Sequence, residues 1–122
     1  MWPIRQSDKQ RQGQGWEERA LQHLVGHGLK LVEANYHCKS GEIDLILRDG
    51  DALVFVEVRQ RASRSHGGAA ASIGPAKSRR IVRAAQTYLQ RFARMPACRI
   101  DVVAFDGAAI DWLRDAIQVS AQ

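Results

Sequence analysis

Between Glu57 and Asp101 the sequence contains no Asp or Glu at all. Ten cations fall in that same interval: Arg59, Arg61, Arg64, Lys77, Arg79, Arg80, Arg83, Arg91, Arg94 and Arg99, against a net charge of +5 for the whole chain. An acid-free run of this length is not needed for solubility. It suits a polyanion, because each phosphate neutralised releases condensed counterions and Arg grips phosphate oxygens with two prongs. Nucleic acid is therefore the expected partner, through Arg61, Arg64, Lys77, Arg79, Arg80 and Arg83. A solvated basic helix face, or one that meets an acidic protein, is the plainer alternative.

Other scarcities narrow the class further. Cys38 and Cys98 stand sixty residues apart in no metal or redox spacing, which makes two reduced thiols the expectation rather than a disulfide framework. No apolar run approaches the length that crosses a bilayer. The opening "MWPIRQSDKQRQGQG" has neither an apolar core nor a small-residue cleavage site, so a cytoplasmic address is expected. There is no Gly-rich loop followed by Lys-Ser/Thr, so nucleotide hydrolysis has no support. "HLVGH" spaces His23 and His27 as i, i+4 without the acid of HExxH, and both are read as helix-surface residues.

At 122 residues the chain suits one domain, here residues 13 to 122 behind a loose polar arm of residues 1 to 12. "WEERALQHLVGHG" carries Trp16, Ala20 and Leu24 on one stripe and predicts a helix stopped by Gly28. "LKLVEANYH" alternates as a strand, and two more strands make a hairpin joined at "RDGDA". After a small-residue loop, Pro75 opens a second helix through "AKSRRIVRAAQTYLQRFAR". "RIDVVAF" predicts a covered strand ending in a turn at Asp106-Gly107, and "AIDWLRDAIQV" remains open between strand and helix. The order is helix, three-strand antiparallel meander, helix, strand. This is an α/β fold with a mixed sheet flanked by helices.

The hairpin "GEIDLILRDGDALVFVEVRQR" places Asp44 and Glu57 inside otherwise apolar strands. If Gly50-Asp51 are the central turn residues, or the loop runs from Asp49 to Ala52, Asp44 stands directly opposite Glu57. If Asp49-Gly50 are central, Glu42 takes that place and Asp44 is diagonal. Only a three-residue loop would separate the acids onto different faces. Opposed like charges destabilise a sheet. A divalent cation, Mg²⁺ or Mn²⁺, would offset the repulsion and activate water against a phosphodiester. The other reading is a structural ion cluster in which Arg59 pairs with both acids.

Asp44, followed across a hairpin by Glu57-Val58-Arg59, resembles the D…ExK core of the PD-(D/E)XK nucleases, the fold of restriction endonucleases and archaeal Holliday junction resolvases. The ordered blocks "WEERA", "EANY", "GEIDLI", "VFVEV", Pro75-Ala76-Lys77 and "RIDVV" resemble, more narrowly, the YraN family of bacterial proteins. The resemblance implies a restriction-endonuclease-like sheet and a catalytic set of Asp44, Glu57 and Arg59. It also implies that Glu17, on the first helix, joins Asp44 and Glu57 as a metal ligand, and that Lys77 meets phosphate. The chain departs from the pattern at Arg59, which keeps the charge of the usual lysine but cannot take up a proton. An even number of subunits, a homodimer at the least, would suit a cut through two strands. The alternative is a catalytically silent DNA- or RNA-binding module that keeps the acids as a cluster with Arg59.

Overall fold

The computed structural model describes residues 8–61 and 73–119, with side chains for all of these except 8–14 and 61. The elements run α1 (Asp8–Gly26), β1 (Lys30–Cys38), β2 (Gly41–Asp49), β3 (Ala52–Arg61), α2 (Pro75–Leu89), β4 (Cys98–Asp106) and β5 (Ala109–Ile117). One five-stranded sheet has the order β1-β2-β3-β4-β5, antiparallel except for the parallel β3–β4 pair that α2 connects. The expected meander, crossover helix and fourth strand are all present. Of the expected loose arm, residues 1–7 lie outside the described residues, and 8–12 belong to α1. No helix among the described residues is long and apolar enough to cross a membrane.

The helices lie on opposite faces because the strands alternate. Leu53 and Phe55 of β3 pack with Ile81, Val82, Ala85 and Tyr88 of α2. Val54 and Val56 pack with Ala20 and Leu24 of α1. Each of the Val, Leu, Ile and Phe side chains among these, fully buried, contributes roughly 1.5–3 kcal/mol from the removal of apolar area. α2 ends at Leu89, short of the predicted Arg94. Three successive bonds of the tighter i+3 type, from Gln90, Arg91 and Phe92, close its last turn.

Two glycines position the site. Gly50 takes φ 61°, the left-handed value that a two-residue turn of type II′ requires first, and Asp49 pairs with Ala52 as that turn dictates. Gly41 begins β2 so close to α2 that a Cβ there would lie 3.3 Å from the Arg80 carbonyl oxygen. Only glycine lets the first turns of α2 sit down on the β1–β2 turn.

The final element is a strand. Its apolar positions do not alternate cleanly because the β4–β5 register shifts between Ile100 and Val102 and Asp115 adopts φ 55°. At this bulge the buried Asp101 carboxylate accepts the Asp115 N–H at 2.9 Å.

Candidate active site

The β2–β3 ladder runs from Asp49–Ala52 to Leu45–Val56 and stops one residue short of Asp44 and Glu57. Ile43 packs on the α2 side of the sheet while Leu45 packs on the α1 side, so strict alternation breaks at Asp44. Its carboxylate takes the place of a backbone partner: Oδ2 accepts the Val58 N–H at 2.8 Å. This bond fixes one acid in the gap where β2 and β3 part, within reach of both helices.

Among the described residues only two charged side chains are buried, and Glu57, 4% exposed, is one of them. It shares a hydrogen bond with Asp44 on one side. On the other, Lys77 Nζ approaches its Oε2 at 3.4 Å and Arg59 Nη1 at 3.9 Å. Glu17 of α1 shares a hydrogen bond with Asp44. The three acids and one lysine come from α1, β2, β3 and α2, which no local pattern joins.

Burial and then repulsion from Asp44 push the Glu17 and Glu57 carboxyls up from 4.5 to about 7, against the pull of Lys77 and Arg59 on Glu57. Asp44 is also raised, mainly by burial, but less freely, because the Val58 N–H and Lys77 favour its charged form. The least costly arrangement leaves Asp44 as the carboxylate, accepting hydrogen bonds from protonated Glu17 and Glu57. A native site that holds protons more tightly than the unfolded chain is most stable in acid. That stability is full below about pH 4.5 and is lost as pH rises through about 7. Metal-free protein is therefore expected to be less stable at about pH 8 than at about pH 5. The buried Glu57 contributes on the order of 2 kcal/mol of that difference. Thermal unfolding in chelator at both pH values, with Glu57→Gln flattening the difference, checks this.

The remaining expected residues divide. Arg79, Arg80 and Arg83 are exposed along α2. The side chain of Arg61 and all of Arg64 lie outside the described residues. Lys77, expected to meet phosphate, contacts Glu57 at 3.4 Å. His37, which belongs to no sequence constellation, pairs with Glu42 at 3.1 Å, a cross-strand contact made by the β1–β2 register. Trp16 packs on Phe105 at 4.8 Å between ring centres and His27 lies against Trp112, so α1 spends these rings on packing. Among the described residues no three of His, Cys, Asp and Glu form a group arranged to hold a metal ion.

The model of the uncharacterised protein family UPF0102 matches residues 16–105, a span that contains every acid of this cluster and Lys77. The chain belongs to this family. It is 56% identical over 110 residues to a UPF0102 protein of Janthinobacterium sp. (strain Marseille), covering 90% of this chain and 89% of the relative. It is 58% identical over 115 residues to a UPF0102 protein of Methylibium petroleiphilum, covering 88% and 94%. The UPF0102 match agrees with the YraN-type resemblance carried by the ordered blocks.

Proposed function

We propose that this UPF0102 chain binds DNA and hydrolyses its phosphodiester backbone at Asp44 and Glu57 with the help of Mg²⁺ or Mn²⁺, on a restriction-endonuclease-like core. The observation that carries the reading is the buried Glu57 hydrogen-bonded to Asp44, with Lys77 and Arg59 beside it. Carboxylates sharing protons near neutral pH are a natural exchange site, since a divalent cation displaces the protons and removes the repulsion. Mg²⁺ asks for only one or two carboxylates and leaves its other positions to water and phosphate. Asp44 and Glu57 would be those two, with Glu17 beside them, hydrogen-bonded to Asp44.

Asp44 and Glu57 would hold the cation, whose bound chemistry would be Lewis-acid polarisation of a phosphodiester and activation of water at neutral pH. The chain's own groups do the rest. The Val58 N–H holds Asp44 in one orientation, Lys77 and Arg59 face the charge that develops on phosphate, and Glu17 accepts or returns a proton near its raised pKa. Cutting both strands of a duplex would call on a second copy. A second reading is favoured by the ion pairs themselves: Lys77 and Arg59 already offset Glu57, as in a silent binding module.

Calorimetric titration with Mn²⁺ separates the two, because the silent module releases no heat. Cleavage of duplex, branched and single-stranded DNA in Mn²⁺ by wild type, Glu57→Ala and Arg59→Lys then tests the chemistry. Binding to duplex should weaken log-linearly with salt. Arg79→Ala and Arg83→Ala are each expected to reduce that slope by about 0.9 if each meets one phosphate. Salt-independent affinity would remove nucleic acid as the partner.

A further inference from the structure

Beside the acids lies an open cleft of about 370 Å³, lined by His37, Cys38, Gly41, Glu42, Lys77, Arg80 and Ile81. The β1–β2 turn forms one wall and the first turns of α2 the other, held together by the close approach of Gly41 to Arg80. Lys77 and Arg80 stand three residues apart and face the cleft together. Lys77 also touches Glu57, so the cleft and the candidate active site share this lysine as a wall. Arg80 has no carboxylate partner among the described residues. The cleft's one acid, Glu42, is engaged by His37. What remains is Arg80 for a phosphate, with Lys77 shared between the cleft and Glu57, an exposed imidazole face, and an apolar floor at Ile81.

We infer that this cleft receives one unpaired nucleotide next to the cleaved bond, so that the site selects single-stranded or frayed DNA over continuous duplex. The inference rests on the nucleic-acid reading above. The volume lies within the range of about 300–1,000 Å³ typical of ligand sites, enough for a nucleotide. A base paired in a duplex is stacked inside the helix and reaches such a recess only after unpairing, a cost that a free strand does not bear. Lys77 and Arg80 hold the phosphate, and His37 offers a stacking face that any base can use. No group in the cleft reads a particular base edge in preference to another, so the selection is for strand state and not for sequence.

The test is fluorescence anisotropy in chelator, without divalent metal, using an oligothymidylate and a duplex of equal length. Wild type should bind the single strand more tightly. Arg80→Ala keeps the Cβ that packs against Gly41 and so retains the fold. It should weaken single-strand binding about tenfold and shrink its salt slope by about 0.7, one phosphate contact, while changing duplex binding less than about twofold. His37→Ala should weaken only the single strand, and Arg79→Ala should weaken both alike. Equal losses on both DNAs from Arg80→Ala, or none on either, would overturn the cleft as a nucleotide subsite while leaving DNA binding standing. Failure of the wild type to bind any oligonucleotide would overturn both the subsite and the function on which it rests.

Discussion

If Asp44 and Glu57 hold the proposed cation, Asp44→Asn should retain the fold and abolish cation binding. The amide oxygen can still accept the Val58 N–H, which wild-type Asp44 accepts at 2.8 Å, so the local shape of the β2–β3 gap is kept. What disappears is the one carboxylate about which Glu17 and Glu57 are arranged. Losing an outer-shell partner of a metal ligand costs about 10–100-fold in metal affinity, so removing a ligand itself should cost at least about 100-fold. Mn²⁺ calorimetry would show the loss directly, and metal-dependent cleavage should go with it. Repulsion from Asp44 ranks second to burial in raising Glu17 and Glu57, so both carboxyls should titrate closer to 4.5 in the variant. Carboxyl NMR across pH checks that. Cation affinity equal to the wild type's would take Asp44 out of the metal site.

Asp101→Ala is expected to produce the largest loss of stability of any single substitution considered for this chain. Asp101 is fully buried, and its carboxylate accepts from Arg99 Nε at 3.0 Å, Trp112 Nε1 at 2.9 Å and the Asp115 N–H at 2.9 Å. Arg99 continues through Nη2 to Asp49 at 3.1 Å, tying β4 to the end of β2. Alanine would leave Arg99, only 20% exposed, with Asp49 as its one carboxylate partner, would orphan two N–H donors, and would remove the bond that holds the β5 bulge. Breaking one side of a buried ion pair costs about 3–5 kcal/mol, which for a domain of this size lowers the melting temperature by on the order of 10–20 °C. Calorimetric unfolding measures it. A shift below a few degrees would mean that the network is dispensable and that β5 is held by its ladder alone.

These two acids illustrate how far the sequence can be read. Asp44 and Glu57 stood out because a strand buries every second residue, and an acid in a run of Ile, Leu, Val and Phe contradicts its surroundings. The turn at Gly50 then limited the registers to a few, of which the structure has the one that pairs Asp49 with Ala52, with the ladder stopping just before the two acids. Asp101 stands in an equally apolar run, "RIDVVAF", yet its partners Arg99, Trp112 and Asp115 come partly from a strand whose period the bulge disrupts. No two-residue repeat survives there to announce a strand.

Local pattern thus determined the helices, the meander, the crossover and the presence of two misplaced acids, because alternation and helical spacing are properties of neighbours along the chain. Tertiary structure decided which cations face those acids, that Glu17 and Lys77 meet at them from opposite layers, and that His37 and Arg80 share a cleft. Those encounters depend on how the sheet parts at Asp44 and how closely α2 settles on Gly41. Both are distances between segments far apart in sequence, set by packing rather than by any repeat.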